Sequence, residues 1–173
     1  MQKGFYIDLS RCSGCEACTT SCISWNNLEI GMRWIRVSEI ESGRYPDVKV
    51  ATIPIPCQHC GDPKCMKACP ESALSKRQED GIVLVDQDKC IGCRQCLIAC
   101  PFGVPQFGKN GLMQKCNFCL DRTENGLNPA CVAACPMRAM YSGTVAELAE
   151  IATKKAAKKL AGAVIDRSLW MEK

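Results

Sequence analysis

Apolar residues occur in short runs along this chain, and few runs are long enough to predict a helix or a strand. Residues 4–8 and 81–86 are rich in apolar, β-branched or aromatic side chains and end at a polar turn, which predicts two short strands. Residues 70–74 and 136–140 each begin with a proline, a residue favoured at the first helical position. We therefore expect a short helix at each of these two places.

The C-terminal segment has the clearest helical periodicity. Thr144 and Glu147 have the spacing of a capping box, and apolar residues then recur at helical intervals up to Gly162. This pattern predicts a C-terminal amphipathic helix. Its lysines are interpreted as a solvated face; they are Lys154, Lys155, Lys158 and Lys159.

Residues 23–56 contain no cysteine and include a glycine and prolines. We interpret this segment as an excursion between two modules that presents a surface to a partner. The tryptophans at positions 25, 34 and 170 are expected to be packing residues.

Sixteen of the 173 residues are cysteines, and they fall into four groups of four with none left over. Groups one and three have the spacing CxxCxxCxxxC, whereas groups two and four have a wider second gap. The groups are Cys12, Cys15, Cys18 and Cys22; Cys57, Cys60, Cys65 and Cys69; Cys90, Cys93, Cys96 and Cys100; and Cys116, Cys119, Cys131 and Cys135.

The groups repeat along the chain. An offset of 78 residues aligns Cys12 with Cys90 and also superposes an aspartate upstream and a glycine inside each loop. A second alignment, of Cys57 with Cys116, also brings Cys60 onto Cys119. We interpret the chain as two half-chains, about 1–79 and 80–143, related by pseudo-symmetry.

The spacing within the groups is typical of [4Fe–4S] clusters. In bacterial ferredoxins the run CxxCxxCxxxCP gives three cysteines to one cluster and the fourth to another, and residues 90–101 match that run at every specified position. Zinc sites are the first alternative, but zinc ribbons use separated pairs of cysteines rather than triplets in one loop. Disulfides are the second alternative, and a chain without an export signal does not favour them.

The charge of the chain changes once the cysteines are metal ligands. The formal net charge is +4 with neutral thiols, but ligands are thiolates. Four oxidised cubanes of about −2 each would bring the total to about −4, which argues against nucleic acid as a partner. No run of eighteen apolar residues is present. We expect a cytoplasmic protein without direct membrane insertion.

Charged residues near the cysteines are candidates for tuning the clusters, because a nearby cation raises a cluster's reduction potential. They are Lys64, Lys67, Arg94 and Lys115. His59 is the only histidine, and we interpret it as a hydrogen-bond donor near a cluster rather than a ligand, since Rieske sites need two histidines. No phosphate-binding loop, dinucleotide fingerprint or catalytic triad is recognisable, so no catalytic residue is assigned.

Several motifs together resemble those of one known family. They are Gly4-Phe5-Tyr6-Ile7-Asp8, Arg11-Cys12-Ser13-Gly14-Cys15, the run from Cys57 to Cys65, Cys90-Ile91-Gly92-Cys93-Arg94, Ala99-Cys100-Pro101-Phe102-Gly103 and Cys116-Asn117-Phe118-Cys119. Over residues 4–143 the chain resembles the four-cluster electron-transfer (beta or B) subunits of the dimethyl sulfoxide reductase family of molybdopterin and tungstopterin oxidoreductases.

That resemblance implies an α+β fold of two interleaved dicluster-ferredoxin modules with pseudo-two-fold symmetry. A double domain would span 1–143, with an inner module at about 53–109 inserted in an outer module of about 1–30 plus 110–143, and a helix and tail at 144–173. It implies four [4Fe–4S] clusters. Their implied ligand sets are Cys12/Cys15/Cys18/Cys135, Cys22/Cys116/Cys119/Cys131, Cys57/Cys60/Cys65/Cys100 and Cys69/Cys90/Cys93/Cys96.

The resemblance also implies a function and partners. A non-catalytic member of this family passes single electrons between a large molybdenum- or tungsten-pterin subunit and a membrane anchor, a flavoprotein or another redox subunit. Some family members continue into a membrane helix, whereas this chain ends at Lys173, so we expect membrane association only through partners. Two alternatives stay open: a free polyferredoxin that shuttles electrons between enzymes, and a zinc-stabilised interaction module.

Overall fold

Short helices and short strands alternate between the cysteine loops. The computed structural model describes the backbone of residues 1–171 and the side chains of residues 1–161. The helices are α1 (Ala17–Trp25), α2 (Lys64–Lys67), α3 (Gln95–Ala99), α4 (Leu120–Thr123), α5 (Ala130–Ala133) and α6 (Val145–Met171). The strands are β1 (Lys3–Ile7), β2 (Arg36–Ser42), β3 (Lys49–Ile55), β4 (Leu74–Lys76), β5 (Val83–Val85), β6 (Gln106–Phe107), β7 (Met113–Gln114) and β8 (Met140–Thr144).

Within the described residues the strands form four separate two-stranded antiparallel sheets. β1 pairs with β8, from Lys3 opposite Thr144 to Ile7 opposite Met140, and so joins the two ends of the cysteine-bearing region. β4 pairs with β5, β6 with β7, and β2 with β3. The strands predicted at residues 4–8 and 81–86 are confirmed as β1 and β5, and the mixed α+β character is confirmed with them.

The prediction of helices at residues 70–74 and 136–140 is wrong, because both segments are tight turns that lead into strands. In each turn the carbonyl of the preceding cysteine accepts a backbone N–H three residues later, from Ser72 at 3.4 Å and from Arg138 at 3.1 Å. Both residues have a positive φ, +49° and +48°, which no α-helix allows. Proline is favoured at the second position of a turn as well as at the start of a helix, and here the turn prevails.

The segment between groups one and two forms a β-hairpin that the sequence analysis did not identify. β2 and β3 pair over seven residues each, and most of their side chains are exposed. Several of the exposed side chains are apolar, among them Ile40, Tyr45 and Val50. The signals available in the sequence were the polar and apolar alternation on both sides of a Gly- and Pro-containing turn. The role of this segment as a partner surface stays a prediction.

Cysteines themselves make up much of the interior. One buried cluster joins Cys18, Cys22 and Cys131 to Ile35 and Met140. A second joins Cys96 to Leu74, Val83 and Met113, with Cys65, Cys69 and Cys90 packed against it. A protein this short has little apolar core, so the sulfur-lined regions lie where larger proteins place aliphatic side chains.

The capping box predicted at the start of the C-terminal helix is confirmed. Thr144 N–H and Oγ1 donate to the Glu147 carboxylate at 2.8 and 2.9 Å, and Glu147 N–H donates back to Thr144 Oγ1 at 3.3 Å. The helix does not end at Gly162 but continues to Met171. One interior glycine costs a helix only about 1 kcal/mol, which good helix formers around it can offset.

α6 packs on the β1–β8 sheet through Leu148, and one lysine of the predicted solvated face is not free. Lys155 Nζ forms an ion pair with the buried Asp8 carboxylate at the end of β1. Trp25 is half exposed rather than buried, and its indole N–H donates to Asp121 at 2.7 Å. The side chain of Trp170 lies outside the described residues. No helix in the described part of the chain is long and apolar enough to cross a membrane.

Candidate metal centres

The loops of groups one and three follow one backbone path. Gly14 and Gly92 have φ angles of +71° and +68°, and two residues later Glu16 and Arg94 adopt a left-handed conformation just before α1 and α3 begin. A Cβ added at Gly92 would lie 2.6 Å from the carbonyl oxygen of Gly111. Glycine is therefore required there for steric room as well as for its backbone freedom.

The loops of groups two and four also match each other. His59 and Phe118 each lie two residues after the first cysteine of their group and have positive φ angles of +43° and +62°. The Phe118 N–H donates to Cys116 Sγ at 3.3 Å. In group two the His59 backbone lowers the pKa of Cys57 against the larger effect of burial. The two rings pack edge to face with their centroids 5.5 Å apart. Groups two and four therefore meet directly at this aromatic pair.

The last cysteines of groups two and four are held by the turns that replaced the predicted helices. Cys69 Sγ accepts the N–H of Ala73 at 3.3 Å, and Cys135 Sγ accepts the N–H of Ala139 at 3.2 Å. An N–H donor favours the thiolate form of a cysteine. The turns therefore orient these two sulfurs and prepare them to act as ligands.

Set A comprises Cys12, Cys15, Cys18 and Cys135. These four cysteines line one cavity, together with residues of β2, β3 and the turn after Cys135. Cys22, which follows Cys18 in the same sequence group, does not line it. The structure thus brings a cysteine near the end of the domain to the loop near its beginning.

Set B comprises Cys22, Cys116, Cys119 and Cys131, all of which are buried. Burial, and next the neighbouring Cys119, raise the pKa of Cys22 to about 12. Burial and then the nearby Cys119 and Cys22 also raise the pKa of Cys131. Cys116 has its pKa raised by burial first and by Cys57 and Cys131 among its neighbours. α1 and α5 pack against each other and carry Cys22 and Cys131 into this set.

The other two sets that the resemblance implies draw on the cysteines of groups two and three. Set C comprises Cys57, Cys60, Cys65 and Cys100. Burial, and next Cys57 and Cys100, raise the pKa of Cys65. Burial, and then Cys60 and Cys100, raise the pKa of Cys57. Set D comprises Cys69, Cys90, Cys93 and Cys96. Burial, then Cys65 of set C and two cysteines of its own set, raise the pKa of Cys96 to about 11.

The chemistry of these sets suits iron–sulfur clusters. All sixteen cysteines are free thiols, and buried thiols with raised pKa values become thiolates only beside cations such as iron. Among the residues with described side chains, no group of three or more His, Cys, Asp or Glu is placed to hold a metal ion directly. A single ion draws its sulfur ligands to about 2.3 Å from one point, whereas a cubane offers four irons at separate corners.

Two buried polar side chains lie between sets B and C. Burial lowers the pKa of His59 to about 3, so the ring is neutral, and its Nδ1 accepts the N–H of Val83 at 3.1 Å. Its Nε2 is buried and has no hydrogen-bond partner among the described residues, so the interpretation of His59 as a donor near a cluster stays open. Lys115 Nζ donates to the carbonyl of Val83 and, at 3.0 Å, to that of Cys116. In the sequence, Lys115 is only one of four candidate cations near the cysteines.

The other three candidate cations are exposed or paired elsewhere. Lys64 and Lys67 both form ion pairs with Asp62 and remain more than half exposed. The Arg94 guanidinium lies over the ring of Phe107, 5.5 Å from its centroid. Of the four candidate cations, therefore, only Lys115 is buried.

Comparison with known proteins identifies the family of this chain. Residues 48–145 match the 4Fe-4S dicluster domain family. The chain is 43% identical over 156 residues to the B component of the anaerobic dimethyl sulfoxide reductase of Escherichia coli (strain K12), a match that covers 85% of this chain and 76% of that protein. It is 38% identical over 166 residues to the B component of the sulfite dehydrogenase of Allochromatium vinosum, with 83% and 69% covered.

A third relative comes from a different reductase. The chain is 33% identical over 192 residues to the arsenate respiratory reductase iron–sulfur subunit of Shewanella sp. (strain ANA-3), with 83% of this chain and 82% of that protein covered. These relatives exclude the zinc interpretation. The chain therefore belongs to the iron–sulfur electron-transfer subunits of the dimethyl sulfoxide reductase family, and its cofactors are four [4Fe–4S] clusters.

Proposed function

We propose that this chain is the non-catalytic subunit that carries single electrons between a large molybdenum- or tungsten-pterin subunit and a second redox partner. The second partner would be a quinone-linked membrane anchor or a flavoprotein. The relatives named above are components of two reductases and a dehydrogenase, and one of them is named for its iron–sulfur content. Cytoplasmic location, with membrane association through a partner, stays a prediction of the sequence.

One observation supports this role most strongly: the four cysteine sets lie in a continuous row. Sets A and B share one buried cluster, which joins Cys18 of set A to Cys22 and Cys131 of set B. The loops of sets B and C meet at the ring pair of Phe118 and His59, whose centroids lie 5.5 Å apart, and Cys65 of set C packs against the buried cluster that contains Cys96 of set D. Clusters bound in this order supply successive one-electron steps.

The two ends of the row are open to solvent, as a relay between two partners requires. Cys15 in set A and Cys93 in set D are exposed, whereas all four cysteines of set B are buried. The cysteines of set C are partly buried. Burial of set B keeps water away from this part of the row, and the exposed cysteines at the ends let a partner's redox centre come close. We propose that set A and set D are the two points of electron exchange.

We further propose that sets A to D are the ligand sets of the four clusters. Each set then takes three cysteines from one loop and the fourth from a distant loop, which ties the folding of the domain to cluster binding. The organisation follows from it: an inner module at about 53–109 holds sets C and D, and an outer module of about 1–30 plus 110–143 holds sets A and B. Pairing of β1 with β8 closes the outer module, and pairing of β4 with β5 the inner one.

A set of alanine variants tests the ligand sets. In the cross-loop arrangement Cys12→Ala and Cys135→Ala remove the same electron paramagnetic resonance signal, and Cys22→Ala removes a different one. If each sequence group instead held its own cluster, Cys22→Ala would match Cys12→Ala, and the proposal would fail. Iron and sulfide measured on the wild-type complex, about sixteen of each per chain, confirm full loading first.

The relay itself is tested on the complex purified anaerobically with the proteins that accompany it. We expect a stoichiometric large subunit with a pterin and fast reduction of all four clusters by the substrate of that subunit. A free polyferredoxin would instead purify without a large subunit and exchange electrons equally well with several unrelated enzymes. That result would contradict the proposed role.

A further inference from the structure

The midpoint of the cysteine row contains a buried cation. Lys115 is 3% exposed, and its Nζ donates to two backbone carbonyls, those of Val83 and Cys116. Among residues 1–161 no carboxylate forms a salt bridge with it. An unpaired buried charge is costly. A negative charge close to Lys115 is therefore needed to balance it.

Ligand loops of two different sets lie near this ammonium group. Lys115 Nζ donates at 3.0 Å to the carbonyl of Cys116, a residue of set B. Val83 holds the arrangement together, since its N–H is bound by His59 from the set C loop and its carbonyl by Lys115 beside the set B loop. The cation is thus fixed at the contact between the two halves of the row.

We propose that Lys115 is a positioning and potential-setting residue that raises the reduction potentials of the two middle clusters together. This inference rests on the ligand sets proposed above. A cluster becomes more negative when it accepts an electron, so a fixed positive charge nearby favours the reduced state. Because Lys115 faces both sets, it raises both potentials relative to those at sets A and D and changes the difference between B and C little.

The chain offers a matched control. Lys89 precedes Cys90 as Lys115 precedes Cys116, but the Lys89 side chain is 63% exposed and pairs with Asp86 at 3.3 Å. A charge in water is screened, whereas a buried one is not. The two lysines therefore have the same position relative to a ligand and differ in burial.

The experiment compares Lys115→Gln, Lys115→Arg and Lys89→Gln in the intact complex by potentiometric titration with electron paramagnetic resonance detection. Glutamine can still donate to a backbone carbonyl but carries no charge. We expect Lys115→Gln to disfavour reduction of two of the four clusters at least tenfold, about 59 mV for one electron. The other two clusters should keep their potentials. Lys115→Arg and Lys89→Gln should leave all four potentials close to those of wild type.

Other outcomes would overturn the proposal. Unchanged potentials in a fully loaded Lys115→Gln protein would contradict it but leave the proposed relay intact, since iron content and electron delivery test the relay separately. Equal shifts with Lys89→Gln, or shifts of all four clusters, would also contradict it. If the glutamine variant and Lys115→Met lose clusters while Lys115→Arg keeps them, the charge itself is required, as proposed. Loss of clusters in all three Lys115 variants would show that only the shape of the side chain matters, and would contradict the proposal.

Discussion

Phe118 is the side chain whose removal should most weaken the junction between the two middle cysteine sets. It is 1% exposed, its ring centroid lies 4.6 Å from that of Phe5, and His59 packs on it edge to face. Removing a fully buried phenylalanine side chain costs about 3–5 kcal/mol. The left-handed backbone at this position is no worse for alanine than for phenylalanine, so Phe118→Ala should cost about that amount.

The expected effect on the clusters follows from this free energy. At about 1.4 kcal/mol per factor of ten, a loss of 3–5 kcal/mol increases the population of the opened state more than a hundredfold. Cluster loss follows that population when opening and closing are fast. We therefore expect the visible absorbance of Phe118→Ala to bleach at least about a hundred times faster than wild type in the presence of an iron chelator.

The assay measures anaerobic bleaching rates over a series of urea concentrations, because metal loss makes unfolding irreversible. Phe102→Ala is the control, since Phe102 is 48% exposed and its removal leaves no cavity. Phe118→Leu, which keeps most of the volume, should lie between wild type and alanine. Rates for Phe118→Ala within threefold of wild type, or equal rates for Phe102→Ala, would refute the reasoning.

Three further substitutions have definite expected results. Lys155 above all lowers the pKa of Asp8 below its usual 3.8, so the ion pair stabilises the fold above about pH 4 and this stabilisation is lost as the pH falls through the folded pKa. Asp8→Asn should abolish this pH dependence, which is measured as acid-induced cluster loss. Gly111→Ala should cost about 1–2 kcal/mol from its positive φ alone, whereas Gly92→Ala should cost more because its Cβ meets a carbonyl; equal bleaching rates would contradict this. Thr144→Ala removes a helix cap and should cost about 1 kcal/mol, visible as faster hydrogen exchange in the first turn of α6.

The identity of the cofactor and the class of function could be predicted from the sequence. Thiolate ligands and their spacing are local properties, since three cysteines in one short loop can reach three irons of one cubane whatever surrounds them. The capping box at Thr144 and the strands β1 and β5 are local in the same sense. These predictions are confirmed because residues close in sequence decide them.

Predictions failed where one residue type suits two local structures. Proline after Cys69 and after Cys135 is compatible with a helix start and with a turn, and the positive φ two residues later, at Ser72 and Arg138, decides for the turn. The hairpin of β2 and β3 was missed because its alternation of polar and apolar residues is weak when most of β2 and nearly half of β3 are exposed.

Burial and adjacency were decided only by the tertiary structure. Lys89 and Lys115 have the same sequence relation to a ligand cysteine, yet one is exposed and the other lies between two cysteine sets. Likewise Cys22 is close to Cys18 in sequence, but Cys135 lines the cavity with Cys18. The sequence by itself determined which cofactor this protein binds, because metal chemistry depends on the kind and spacing of ligands. Only the packing of distant loops decided which cysteines of different sequence groups lie close together and where the buried cation lies, because both depend on contacts between residues far apart in the chain.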